Sequence, residues 1–291
     1  PYAGSCYRAI AEYFPRELRA AYTTGILSSN YIGSALAPIV IVPLILWFGW
    51  RGMFQVLGVV GLVYVFFYAL FVKQSKPKEE TSGDKVSKTK YFLRLMKYSM
   101  IWKLVLCAFC VSCINKGLDA WMPTYLIAER GINLKAVGYL TPIPFMASFL
   151  SAAVCGWFMN KYFDKKEHYM VAICAAMTAI FLYFMYNAET IMWVVIFQCG
   201  VYFFKACILG AAVAIVLKIV TGKIAGSAST LINMGGQVAG FISPVIMGYL
   251  VHAFNGSFNA VFYFLMGMAT LCAISALLIP KRTEDVLDLD E

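Results

Sequence analysis

An all-α, membrane-embedded helical bundle is the fold class this sequence predicts, and three observations carry it. Only 13% of the 291 residues are charged while 61% are hydrophobic, whereas a soluble domain carries about a quarter charged residues. Apolar stretches about 20 residues long, the length of helix that crosses a bilayer core, recur along the chain. The basic residues gather in every second connection between those stretches, which is how a multi-span protein encodes its orientation.

The elements follow in order. Residues 1–13 are apolar but too short to span, and read as the end of a helix. Full spans follow at 21–48 and 52–72. A polar, basic segment, 73–97, with Pro77 and Gly83, then interrupts the pattern. It reads as a flexible tether with a surface helix near 91–97. Six further spans lie at 103–127, 136–159, 168–187, 190–217, 224–252 and 258–280. In lipid every backbone N–H and C=O must be satisfied, which leaves helices at these lengths.

Six spans after a long loop make one half of a twelve-span, two-half protein, each half holding two three-helix repeats of inverted topology. Residues 1–72 then belong to a first half (the end of helix 4, and helices 5 and 6), 73–100 to the linker, 101–280 to a complete second half (helices 7–12), and 281–291 to a tail. This count expects three spans and part of a fourth ahead of Pro1.

The net charge of +9 would suggest nucleic acid in a soluble protein, but its distribution reads as topology and no nucleic-acid partner is expected. One set of connections carries Arg16 and Arg19, the whole 73–103 cluster, Lys161, Lys165 and Lys166, Lys218 and Lys223, and Lys281 and Arg282. The other set carries only Arg51, Arg130 and Lys135. The asymmetry assigns the long loop and the acidic tail to the cytoplasmic side of a multi-pass protein of the cell (inner or plasma) membrane.

Nine cysteines, an odd number, all fall in apolar segments, which argues against a disulfide framework. Cys107, Cys110 and Cys113 recur every three residues, and read as small polarizable residues on a helix face. His168 and His252 sit at span ends without ligand or catalytic neighbours. No metal or other cofactor is expected. The glycines of 225–240 lack a preceding strand and a Gly-Lys-Ser/Thr ending, so they are not a nucleotide loop. A membrane enzyme or sensor is disfavoured: the spans hold no His/Asp/Glu set at catalytic spacing, and only a short tail follows Pro280.

A family resemblance rests on the Ala-Glu-Tyr-Phe-Pro-Arg-Glu-Leu-Arg-Ala run at 11–20, Thr24-Gly25-Ile26, Gly33, Pro38 and the Gly49-Trp50-Arg51 corner with Phe54. Trp121-Met122-Pro123-Thr124-Tyr125-Leu126, with Gly131, and Ala225-Gly226, Asn233, Gly236, Pro244, Gly248-Tyr249 and Gly256-Ser257-Phe258 extend it. Together they resemble the major facilitator superfamily, and within it the anion:cation symporter group of hexuronate, glucarate and galactonate permeases. The resemblance implies secondary transport of a small organic anion, a sugar acid or other carboxylate, coupled to H+ or Na+, by a protein working as a monomer. Two departures stand out. The family's Gly-x-x-x-Asp-Arg motif reads Gly156 to Asn160-Lys161 here, and the acidic residue of its helix 4 would fall ahead of Pro1. Lys116, Asp119 and Trp121 also resemble the organophosphate antiporters, an exchanger alternative.

Charges at mid-span are costly and usually face a cavity or a partner. Lys116 lies half-way along 103–127, and Asp119, three residues on, shares its face. Lys116 is read as the anchor of an anionic substrate, with Asp119 tuning its charge or joining the coupling network, the alternative being a self-contained pair that anchors the helix; Asn115 could add a hydrogen bond. Lys205 lies at the centre of its span, with Tyr202 and Gln198 one and two turns before it, and either faces the cavity or snorkels. Ser29 and Asn30, beside Ser28 and Tyr31, are candidates for substrate hydroxyls, as are Asn233 and Gln237 at i,i+4. Gly226, Ser227, Ser229, Gly235, Gly236 and Gly240 are read as permitting close helix approach. Trp121 and Tyr125 either anchor the outer membrane interface, like Trp50, or stack on substrate or gate the cavity. Arg8 and Glu12 are read as a structural i,i+4 pair.

The orientation is testable. An epitope tag after Glu291 should be protected from protease in right-side-out vesicles and cleaved in inverted ones; the reverse pattern would refute the charge-based topology.

Overall fold

The computed structural model describes residues 16–71, 99–163, 166–219 and 225–279, with side chains from 29 onward in these ranges except 156, 160, 213, 214 and 216–230. The first apolar stretch, the Arg8–Glu12 pair, nearly all of the basic linker and the tail lie outside them. Every described element is a helix: α1 (Arg16–Phe71), α2 (Ser99–Ala128), α3 (Leu134–Leu140), α4 (Pro142–Tyr162), α5 (Glu167–Tyr186), α6 (Ile191–Ile219), α7 (Ala225–Ala253) and α8 (Asn259–Leu277).

Among the described residues, seven stretches are long and apolar enough to cross a membrane. The first, Ser29–Phe71, is 43 residues long, about 65 Å of helix against a bilayer core of about 30 Å. It is broken at Gly49, whose φ of 68° and ψ of 172° suit a residue without Cβ. The spans expected at 21–48 and 52–72 meet there.

The span expected at 136–159 is present as Leu134–Met159, with a second break inside it. The helix stops at Leu140 and restarts at Pro142, with Thr141 between. Pro142 and Pro144 bring no N–H to the ladder, so the carbonyls of Gly138 and Leu140 lose their helical donors; the Thr141 hydroxyl donates to Val137 O at 2.7 Å, beside its own backbone N–H at 3.0 Å. Asn133 starts α3, its Oδ1 accepting from Ala136 N at 2.8 Å, an N-cap.

Lipid tails are as apolar as leucine, so helices in a bilayer associate through close packing and interhelical hydrogen bonds. Both are visible. α2 lies against α7, α8 and α6; α6 against α4 and α5; α5 against α8; and the first arm of α1 against α3 and α4. Ser148 and Ser151 of α4 donate to Tyr202 O and Phe203 O of α6, at 2.9 and 2.6 Å. Ser243 of α7 donates to Cys113 O at 2.7 Å, and Ser275 of α8 to Lys103 O at 3.1 Å. At the end of α8, Lys103 Nζ donates to Leu278 O at 2.8 Å, where a cation suits the helix dipole.

Small residues let α2 and α7 approach. A Cβ on Gly235 would stand 2.8 Å from Val105 Cγ1 and 3.3 Å from the Val105 carbonyl; one on Gly117 would meet Met247 Sδ, and Ser243 Oγ at 2.7 Å. Gly236 and Gly240 face Ser112 and Lys116 of α2 in the same way. The sequence reading of these three α7 glycines therefore agrees with their positions. Cys107, Cys110 and Cys113 are all buried, and Cys107 packs on Cys272 of α8 through reciprocal 3.8 Å thiol-to-carbonyl contacts.

Overpacking a closed helix contact costs about 1–3 kcal/mol. Gly117→Val should therefore lower the thermal midpoint of the detergent-purified protein, whereas Gly267→Ala, which meets nothing within 4 Å, should leave it unchanged. Equal effects of the two would contradict the α2–α7 packing.

Candidate functional site

The described charges of the membrane-spanning core meet where α2 crosses α6. Asp119 of α2 accepts a 2.7 Å hydrogen bond from the Tyr202 hydroxyl and pairs with Lys205 Nζ at 3.3 Å. The Lys205 ammonium also sits over the Tyr202 ring, 3.2 Å from its centroid, a cation–π contact. Phe145 of α4 closes the other side of Tyr202, edge to face at 5.2 Å. Gln198, one turn before Tyr202, is buried. Tyr202 and Lys205 are each 1% exposed, while the Asp119 side chain is 27% exposed. The cluster thus has a buried cation and a carboxylate that reaches the surface of the bundle.

Helix geometry sets these contacts. Tyr202 and Lys205 are three residues apart on α6, which puts both on one face. Tyr202 is pinned through its backbone as well, since its carbonyl takes the Ser148 hydroxyl. The attraction between unit charges 3.3 Å apart is about 5 kcal/mol at an effective dielectric of 20. Desolvation removes several kcal/mol per ion, so the pair adds little net stability and its value is the placement of charge.

Lys116, one turn before Asp119, is exposed. Its stem lies beside Gly240, and its charge is within electrostatic reach of Lys205. Among the described residues it has no ion-pair partner. The alternative of a self-contained Lys116–Asp119 pair is not formed: the two share a helix, but the ion partner of Asp119 comes from α6. Asn115 is half-buried a turn before Asp119.

The other candidates divide. Tyr31 of α1 lies within electrostatic reach of Asp119, so α1 contributes to the wall; Ser29 and Asn30 are exposed beside it. Asn233 and Gln237 are exposed on α7 and bonded to each other at 3.3 Å. Trp121 is half-buried, donating from Nε1 to Pro244 O at 3.1 Å. Tyr125 is a correction. It is 3% exposed, its ring edge-on to Phe258 and Phe262, so it neither anchors an interface nor offers a face to a ligand. Its hydroxyl accepts from Arg130 Nε at 2.8 Å, and the same guanidinium donates to Ala188 O at 2.7 Å and Glu189 O at 3.4 Å. Neither this clamp nor the Phe145 contact was expected. Arg130 had been counted only as a loop charge, and no spacing ties Phe145 to Tyr202.

A multi-span helical bundle with an ion pair and a mid-span lysine that has no ion-pair partner among the described residues fits the class of membrane transporters. More closely, residues 2–204 match the family model of the Major Facilitator Superfamily, and the chain belongs to that family. It is 24% identical to the probable galactarate/D-glucarate transporter of Bacillus subtilis, over 94% of this chain and 65% of that protein. It is 27% identical to the probable sulfoacetate transporter of Cupriavidus necator, over 88% of this chain and 64% of that one, and 23% identical to the hexuronate transporter of Bacillus subtilis, over 95% and 69%. The chain thus spans about two thirds of the length of these relatives. Among solved structures, a D-xylose–proton symporter superposes with a TM-score of 0.71 at 17% identity, covering 94% of this chain and 67% of that one. A bacterial homologue of the human lysosomal transporter Spinster, inward-facing and occupied, gives 0.64 at 14% identity, covering 92% and 70%. These likenesses establish the fold.

Breaking a buried pair by removing one partner costs about 3–5 kcal/mol, whereas removing both is often close to neutral. In thermal unfolding of the purified protein, Asp119→Asn and Lys205→Gln should each destabilise, and the double variant should recover most of the loss. Strictly additive effects would exclude the pair.

Proposed function

We propose that this chain is part of a secondary active transporter that moves a small organic anion, a sugar acid or other carboxylate, across the cell membrane by alternating access, driven by H+ or Na+. The observation that carries the reading is Lys116: an exposed ammonium at mid-span with no ion-pair partner among the described residues, one turn from the Asp119–Lys205 pair. A charge at that depth costs about 2.5–3.5 kcal/mol on insertion scales, so an uncompensated lysine implies an anion that visits it. The named relatives handle galactarate or glucarate, sulfoacetate and hexuronate, all anions, which supports the same substrate class.

In this reading Lys116 binds a carboxylate as a point charge. Asn233 and Gln237 on α7, with Ser29 and Asn30 on α1, offer donors and acceptors to hydroxyls of the substrate from two sides. The breaks at Gly49 and Thr141 lie in the helices that join the first arm of α1 to the bundle, where a rocking motion between halves would be taken up. The basic loop and the tail face the cytoplasm.

Loss of a charge-assisted hydrogen bond is worth about 1.5–3 kcal/mol, or about 10- to 100-fold in affinity. In proteoliposomes, Lys116→Ala should raise KM for a labelled sugar acid by about that factor, and Lys116→Arg should restore much of it. An unchanged KM in Lys116→Ala would remove Lys116 from the site.

A further inference from the structure

Among the described residues, the charges at the α2–α6 crossing do not balance. Two ammonium groups, Lys116 and Lys205, stand against one carboxylate, Asp119. The elements around Asp119 do not correct the imbalance. α6 brings Lys205 and the phenol of Tyr202, and α1 brings the phenol of Tyr31. α7 has no acidic or basic residue between 225 and 251, and α8 has none between 259 and 277; their titratable groups are Tyr249, Tyr263 and Cys272. α3 has Lys135 and Tyr139, at the end of α2 that holds Arg130. On α2 itself, Lys103 lies about 24 Å from Asp119 along the axis, and Glu129 and Arg130 lie about 15 Å away in the other direction.

We propose that Asp119 is a built-in counter-anion occupying the second of two anion subsites, so that the site takes a monoanion as it stands and a dianion only together with one proton. This rests on the anion-transport reading above. The first subsite is Lys116, exposed and unpaired with any described carboxylate. The second is Lys205, whose ammonium is held in place by the Tyr202 ring and whose counter-ion is Asp119.

The difference in exposure gives the exchange a direction. Lys205 is enclosed, whereas Asp119 reaches the surface, where water can deliver a proton to its carboxylate and a ligand can approach. Protonated Asp119 keeps a hydrogen bond with the Tyr202 hydroxyl, because a carboxylic acid and a phenol both donate and accept. It loses only its ionic hold on Lys205. That ammonium, in a low-dielectric setting, is then short of an anion at a cost of several kcal/mol, which the second carboxylate of a dianion offsets. Lysine suits the exchange because a point charge accepts one carboxylate for another without bidentate alignment.

With Asp119 ionised, a dianion would bring three negative charges against two positive ones, and the surplus would be left in the bundle. The step makes and breaks only the Asp119 O–H bond. The proton comes from water on the side of entry and returns to water on the side of exit, when the ligand leaves and Asp119 closes on Lys205.

The test is uptake of a labelled six-carbon dicarboxylic sugar acid and of the matching monocarboxylic acid by the full protein in proteoliposomes, over a pH range in which both remain fully ionised. The KM for the dicarboxylate should fall by up to about tenfold per unit drop in pH, the slope of a one-proton linkage, and the KM for the monocarboxylate should stay flat. Asp119→Asn should abolish the slope. If that variant fails to fold, the charge-neutral double variant Asp119→Asn with Lys205→Gln should fold and lose the slope. A wild-type slope retained in either variant, or equal slopes for the two acids in the wild type, would overturn the proposal while leaving anion transport standing. Failure of the wild type to move either acid would overturn both.

Discussion

A single carboxylate holds the centre of this bundle. Asp119 is shared between a phenol and an ammonium that both come from α6, and the surrounding arrangement follows from keeping that sharing possible in lipid. Tyr202 must be enclosed for its ring to bear the lysine, hence the flank of Phe145 and the Ser148 bond to its backbone. Lys205 must have no route to water along its stem, or it would snorkel instead of pairing. α2 must pass close enough for one Asp side chain to reach both groups.

α2 also packs closely against α7. Glycines 235, 236 and 240 let α7 lie against α2 with little between the backbones, and serine hydroxyls close on carbonyls of neighbouring helices. Each such bond is worth only about 0.6 kcal/mol on average in a membrane protein. Their number and distribution matter more than any one of them, because together they leave few relative positions open to the helices.

Much of the fold was legible because its signals are long-range averages. Span length, charge alternation and the polar interruption after residue 72 each integrate over many residues. The breaks were harder to read. Pro142 and Pro144 were visible, yet Pro38, Pro43, Pro123 and Pro244 sit inside continuing helices, so proline alone does not say where a helix stops. At the site, Lys116 and Asp119 are readable as mid-span charge but not as to partner. Spacing along one helix reports only that helix's own neighbours, and the cation that meets Asp119 lies 86 residues away. Tyr125 is hard to read for the same reason: its burial is set by Phe262 of α8 and by Phe258 just ahead of that helix, which nothing in its own segment announces.

The Arg130 clamp has a bearing on the distant charge pair. Its guanidinium ties the last turn of α2 to the connection between α5 and α6, and so fixes the axial register of the two helices that carry Asp119 and Lys205. One residue of slippage along a helix is about 1.5 Å, enough to take Lys205 out of reach of a carboxylate now 3.3 Å away. The alignment of the pair is therefore held by a latch about 15 Å from the charges themselves, at the rim of the bundle.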